Sequence, residues 1–141
     1  MKVRWSIYVL VCCVLLCLTG CGSNKEAQRS VLRVGVVLYT QDDPFINALT
    51  DCLKEDLEDY ETDSLKIIMT VRDGKNDQKL QDEVVEEILD AGCDILVVDL
   101  VDRTEPSNII KMAKNENIPV IFFNREPVRE DLMQWDKLYY V

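Results

Sequence analysis

Histidine is absent from this chain of 141 residues. Without it, histidine-ligated metal sites and Ser-His or Cys-His nucleophilic catalysis are excluded. Positive charge is also scarce, with 16 lysines and arginines against 26 aspartates and glutamates. Two of the basic residues, Lys2 and Arg4, stand at the extreme N-terminus, and those that follow form no cluster. A surface that neutralises phosphates needs clustered basic side chains, so nucleic acid is excluded as a partner. No run of apolar residues comfortably reaches the roughly 20 residues of a membrane span. Solenoid repeats and low-complexity segments are missing too. What remains is one domain's worth of chain, with 48% hydrophobic residues to build a core.

The apolar run closest to a membrane span covers residues 5–18, directly behind Lys2 and Arg4. A short basic stretch followed by an apolar segment of this length has the form of a secretory leader. It ends in "LTGC", and Thr19, Gly20 and Cys21 resemble the lipobox of bacterial lipoproteins, in which the cysteine sulfur takes a diacylglycerol after cleavage. An ordinary leader with a chance cysteine is the alternative. The lipobox implies three segments: residues 1–20 as a lipoprotein signal peptide, residues 21–30 as lipidated cysteine and flexible tether, and residues 31–141 as the folded domain. More than one acyl chain makes such anchoring to the membrane stable. The location implied is extracytoplasmic, lipid-anchored to the cell membrane.

Of six cysteines, only Cys52 and Cys93 fall in the folded part, at a spacing that fits no metal motif. Cys52 shares a helical face with Phe45, Leu49, Leu53 and Leu57, while Cys93 precedes an apolar strand. Both are expected to be buried small hydrophobes, with a disulfide as the alternative.

From Val31 onward, short β-rich apolar runs alternate with amphipathic stretches. Strands are predicted over residues 32–38, 65–71, 95–98, 118–123 and 137–141, and helices over 44–60, 77–91 and 106–115. Gly92 is placed to end the second helix. This alternation predicts an α/β fold: a three-layer parallel sheet with helices on both faces and right-handed crossovers. Ligands of such sheets bind beyond the carboxyl ends of the strands. The polar residues gathered there are Asp42 and Asp43, Asp73, Asp99 and Asp102, and Asn124, Arg125 and Glu126. Asp43 before Pro44 also suits a helix cap, and Asp102 or Thr104 could cap the third helix.

The motifs "VLYTQDDPF", "NDQ" (76–78), "LVD" (100–102), "IPVIFFNREP" (118–127) and "KLYYV" (137–141) resemble, in order, those of the bacterial galactose/glucose-binding proteins of sugar ABC transporters. The likeness covers residues 33–141. It implies that Asp43 hydrogen-bonds sugar hydroxyls, that Phe45 stacks on the pyranose, and that Asp99 stands where the family has a ligand asparagine. An aspartate there removes an amide donor and adds an acceptor and a charge, which bears on the choice of sugar. Tyr39, Asp42, Asn124 and Glu126 are further candidates to line the cleft.

The family has two lobes with the sugar between them, and only the N-terminal lobe has counterparts here. The implied second lobe is absent, which suggests a fragment or truncated product. The family's calcium site would lie in that half, so no cofactor or metal is expected in this one. Implied partners are a monosaccharide, a membrane permease of an ABC transporter, and the membrane through the lipid anchor; a chemoreceptor is a further candidate. The implied role is non-enzymatic. Two rivals share the α/β pattern. A response-regulator receiver would use Asp42, Asp43 and Asp99, but it needs a hydroxyl residue where this chain has "FFNREP", and a lysine after its fifth strand. The ligand domain of a sugar-responsive repressor would carry a basic helix-turn-helix in place of the lipobox.

Overall fold

The computed structural model describes residues 29–141. The predicted leader, Cys21 and most of the tether lie outside the described residues. Five strands, β1 (Ser30–Leu38), β2 (Leu65–Asp73), β3 (Ile95–Val98), β4 (Val120–Phe122) and β5 (Leu138–Tyr140), form one sheet in the order β2-β1-β3-β4-β5. Every neighbouring pair is parallel. Four helices join them: α1 (Pro44–Asp59), α2 (Gln78–Asp90), α3 (Ser107–Asn115) and α4 (Arg129–Leu132). The predicted parallel α/β architecture is the one observed, with α4 as a short helix that the sequence pattern did not signal.

The strands divide their side chains by the two-residue period of the pleat. Val34, Val36 and Leu38 of β1, Val97 of β3 and Phe123 after β4 join α1 through Ile46, with Leu53 and Leu57 packed alongside. Val37, Leu96, Val98, Val120, Phe122 and Leu138 face the other way, against Val84, Val85, Ile88 and Leu89 of α2 and Ile109, Ile110 and Ala113 of α3. Right-handed crossovers account for this division. The connection from β1 to β2 runs one way along the sheet and puts α1 on one face. The next three connections run the other way and put α2, α3 and α4 on the opposite face. The α1 face beyond β3 therefore has no crossover helix of its own. A groove of about 410 Å³ lies there, lined by Leu49, Leu53, Val97, Ile121, Phe123 and Val141 among others.

Helix ends follow the sequence closely at α1 and α2. Asp43 caps α1 by accepting from the Phe45 amide at 2.8 Å, with Pro44 at the first helical position. Asp77 caps α2 by accepting from Leu80 at 3.1 Å. Gly92, at φ +82°, closes α2 with its N–H on the Leu89 carbonyl, in the left-handed conformation that glycine adopts without strain.

Two expectations are corrected. Neither Asp102 nor Thr104 caps α3, whose cap position is Pro106 with no side-chain bond. Asp102 instead accepts from the amide and hydroxyl of Thr104, forming a local turn. Cys52 is exposed, whereas Cys93 is buried as expected; both are free thiols. The helical stripe in contact with the sheet runs through Ile46, Leu53 and Leu57. Phe45 and Cys52 lie one residue before Ile46 and Leu53, about 100° around the helix, and are turned toward solvent; Phe45 is 64% exposed, and Leu49, at the edge of the stripe, 40%.

Close approach of α2 to the sheet depends on one missing side chain. A Cβ at Gly35 would overlap the Ile88 Cγ2 methyl. Gly35→Ala is expected to destabilise the fold by roughly 1–3 kcal/mol through overpacking. In an Ile88→Ala background the same substitution should cost clearly less, as measured by denaturant unfolding of the four proteins of the cycle.

Candidate functional site

The strand order reverses between β1 and β3, which makes their carboxyl ends the expected crevice of an open parallel sheet. Tyr39, Asp43, Asp99, Asn124 and Arg125 converge at this edge. Asp43 is held at the start of α1 and is bound on both carboxylate oxygens. Oδ1 accepts from the Phe45 amide, and Oδ2 accepts from the Tyr39 hydroxyl at 2.5 Å. Those donors favour the ionised form, Tyr39 foremost, and hold Asp43 below the ordinary carboxylate range. The same hydrogen bond raises the Tyr39 phenol.

The tight turn after β4 brings the next two groups. Asn124 adopts the left-handed backbone at φ +60°, a conformation in which asparagine is enriched. Its side-chain nitrogen donates to both oxygens of Asp99, at 3.0 and 3.3 Å. Arg125 follows, donating to the carbonyls of Leu100 and Val101 at 3.2 and 2.9 Å, with its guanidinium 3.7 Å from the Tyr39 ring centroid. This cation–π contact fastens the turn after β4 to the end of β1.

Of the predicted site residues, Asp99 is the one that is fully buried. Burial penalises its charge and pushes its pKa from 3.8 up to about 6, against the opposing pull of Asn124 and Arg125. Phe45 offers a largely exposed ring beside Asp43. Asp42 and Glu126 are exposed; both sit at the edge without joining the Tyr39–Asp43 and Asp99–Asn124 bonds. Asp73 braces the loop after β1, accepting from the amides of Gln41 and Lys75 at 3.1 and 2.8 Å.

One contributor was not singled out from the sequence. Gln81, fully buried on α2, donates to the Asp99 carbonyl at 2.8 Å and accepts from the Val101 amide at 2.9 Å. It ties the β3 turn to the helix below. The available signal is a lone amide among the apolar positions Val84, Val85 and Ile88. Arg125 was one of the polar residues after the fourth strand, yet its stacking on Tyr39 has no sequence signature. Among the described residues, no group of three or more His, Cys, Asp or Glu could hold a metal ion.

This edge gathers two carboxylates, an amide, one guanidinium and an exposed aromatic ring, the kinds of group that non-covalent recognition of a small polar molecule uses. The fold and this edge are those of an open parallel α/β domain with its polar groups at the strand-order reversal. Residues 34–141 match the family model described as periplasmic binding protein domain, and the chain belongs to that family. It is 34% identical over 120 residues to the D-galactose/methyl-galactoside binding periplasmic protein MglB of Haemophilus influenzae, covering 85% of this chain and 35% of that protein. Identity to the ribose import binding protein RbsB of Escherichia coli K12 is 27% over 100 residues, covering 71% and 32%. A solute binding protein of an ABC transporter from Bacillus halodurans, solved with bound myo-inositol, superposes with a TM-score of 0.58. Its identity is 26%, over 77% of this chain and 35% of that one. A galactofuranose binding protein gives 0.60 at 25% identity, over 68% and 31%. The chain thus spans about a third of the length of the curated relatives it matches.

Asp99 makes the stability of the fold depend on pH. Its folded pKa lies above the unfolded value, so the folded protein carries the extra proton between about pH 4 and 6, and stability falls as pH rises through that window. The fall should amount to at most roughly 2–3 kcal/mol. Asp99→Asn is expected to flatten this part of the profile, as measured by urea unfolding at intervals from pH 4 to 8.

Proposed function

We propose that this chain supplies one wall of a sugar-binding cleft in a lipid-anchored, extracytoplasmic substrate-binding protein that serves an ABC transporter. A hexose such as galactose or glucose is the ligand. The observation that carries the reading is the Tyr39–Asp43–Phe45 arrangement at the strand-order reversal, in a chain 34% identical to a galactose-binding protein. A carboxylate fixed by two donors still has lone pairs free for hydroxyls, and charge-assisted bonds of this kind are stronger than neutral ones. The Phe45 ring suits the C–H face of a pyranose, since an aromatic face buries apolar surface beside polar contacts. Asn124 and Arg125 add polar groups on the same edge.

In this reading the sugar is enclosed when a second wall closes over it, and the closed form is presented to a membrane permease. A chemoreceptor is a further candidate partner. The role is binding, not catalysis. The match of residues 34–141 to a binding-protein family favours this reading over a phosphorylated receiver.

Two measurements test it. Titration calorimetry of the full-length natural protein with glucose, galactose, ribose and myo-inositol is expected to select a hexose. Asp43→Ala should weaken that binding about tenfold to a hundredfold, whereas unchanged affinity would leave Asp43 as a helix cap alone. Mass spectrometry of the protein extracted from membranes is expected to show residues 1–20 removed and a diacylglyceryl thioether on Cys21. An intact leader would refute the anchor.

A further inference from the structure

The contact between Asp99 and Asn124 fixes more than a distance. An ionised carboxylate can only accept hydrogen bonds, so the atom that Asn124 turns toward it must be the amide nitrogen. That nitrogen lies within 3.0 and 3.3 Å of the two Asp99 oxygens, while Asn124 itself is exposed at the carboxyl edge. The side-chain oxygen of Asn124 shares a carbon with that nitrogen and is therefore carried to the outer side. Among the described residues nothing donates a hydrogen bond to it.

We propose that Asp99 is a specificity-positioning residue, whose carboxylate locks the Asn124 amide with nitrogen inward and oxygen toward the cleft, so that the rim offers an acceptor there and selects a ligand hydroxyl. Asp99 is fully buried and acts through Asn124. The inference rests on the carboxyl edge being the sugar wall, and it deepens that reading by assigning the polarity of one contact.

An asparagine at position 99 would present either a donor or an acceptor to Asn124, and both orientations of the Asn124 amide would then be allowed. Protonation of Asp99 has the same consequence, because its O–H can donate to a flipped Asn124. The charged groups that face Asp99 are Arg125, from the turn after β4, which favours the carboxylate, and Asp43, from the start of α1, which opposes it. Asp43 is held below the ordinary carboxylate range by Tyr39 and the Phe45 amide, so it remains ionised where Asp99 titrates.

The test reads the amide directly and needs no sugar. In the 15N-labelled protein, the Asn124 side-chain NH2 pair is assigned by its disappearance in Asn124→Ala and followed from pH 5 to 8. One well-defined pair is expected at pH 8, moving with a midpoint near the Asp99 value of about 6. In Asp99→Asn the movement should vanish, and the pair should be doubled or averaged. An Asn124 pair that does not respond to pH in the unsubstituted protein overturns the proposal, even if Asp99→Asn does not fold.

The second arm is ligand choice. At pH 8, hexoses O-methylated at single hydroxyls, which keep the acceptor and lose the donor, are compared with the parent sugar. The unsubstituted protein is expected to reject one such analogue, and Asp99→Asn to relax that rejection about fivefold, the effect of one neutral hydrogen bond. Equal rejection by both proteins would overturn the selective role. An amide that titrates in a protein that binds no sugar would overturn the sugar-binding reading and the selection built on it, while the Asp99–Asn124 lock itself would stand.

Discussion

The handedness of the crossovers is the constraint on which the rest of this structure depends. With right-handed connections, a sheet in the order β2-β1-β3-β4-β5 must send α1 to one face and the following helices to the other. The reversal that follows β2 brings β3 alongside β1, with their carboxyl ends diverging into helices on opposite sides. Asp43 reaches that gap because it caps the helix on one face. Asp99 reaches it because β3 ends there. The site is thus a consequence of topology before it is a matter of side-chain chemistry.

Within the gap, the electrostatics are set by how each carboxylate is satisfied. Asp43 has two good donors and partial solvent access, so its ionised form is favoured and its remaining lone pairs are available. Asp99 has one amide and full burial, so its charge is costly. Arg125 lies between the strands' loops, anchored by two carbonyls and stacked on Tyr39. A net-acidic chain has placed one guanidinium where it steadies two carboxylates without pairing tightly with either. Gln81 supports the same edge from below by satisfying the turn after β3 on both its carbonyl and amide sides.

Much of this was legible in the sequence because it rests on local rules. β-branched runs with helical spacing between them gave the parallel sheet. The Asp43-Pro44 and Asp77 starts and the Gly92 stop gave helix boundaries to within a residue. The resemblance carried by "VLYTQDDPF" and "IPVIFFNREP" led to the family that residues 34–141 match. Features decided by rotation and long-range contact were not legible. Cys52 differs from Leu53 by one residue and about 100° of helix, enough to exchange sheet for solvent. The stacking of Arg125 on Tyr39 joins residues 86 positions apart, and nothing in either local stretch encodes it. The full burial of Asp99 likewise depends on the turn after β4 folding over the end of β3.

The proposed function requires a sugar to be held at the carboxyl edge of β1 and β3. A crystal structure of the natural protein grown with galactose would locate it. It is predicted to show sugar hydroxyls within hydrogen-bond distance of the Asp43 carboxylate and the pyranose ring against Phe45. A sugar seated elsewhere, such as the groove between α2 and α3 beside Lys79, Asn108 and Lys111, would contradict it.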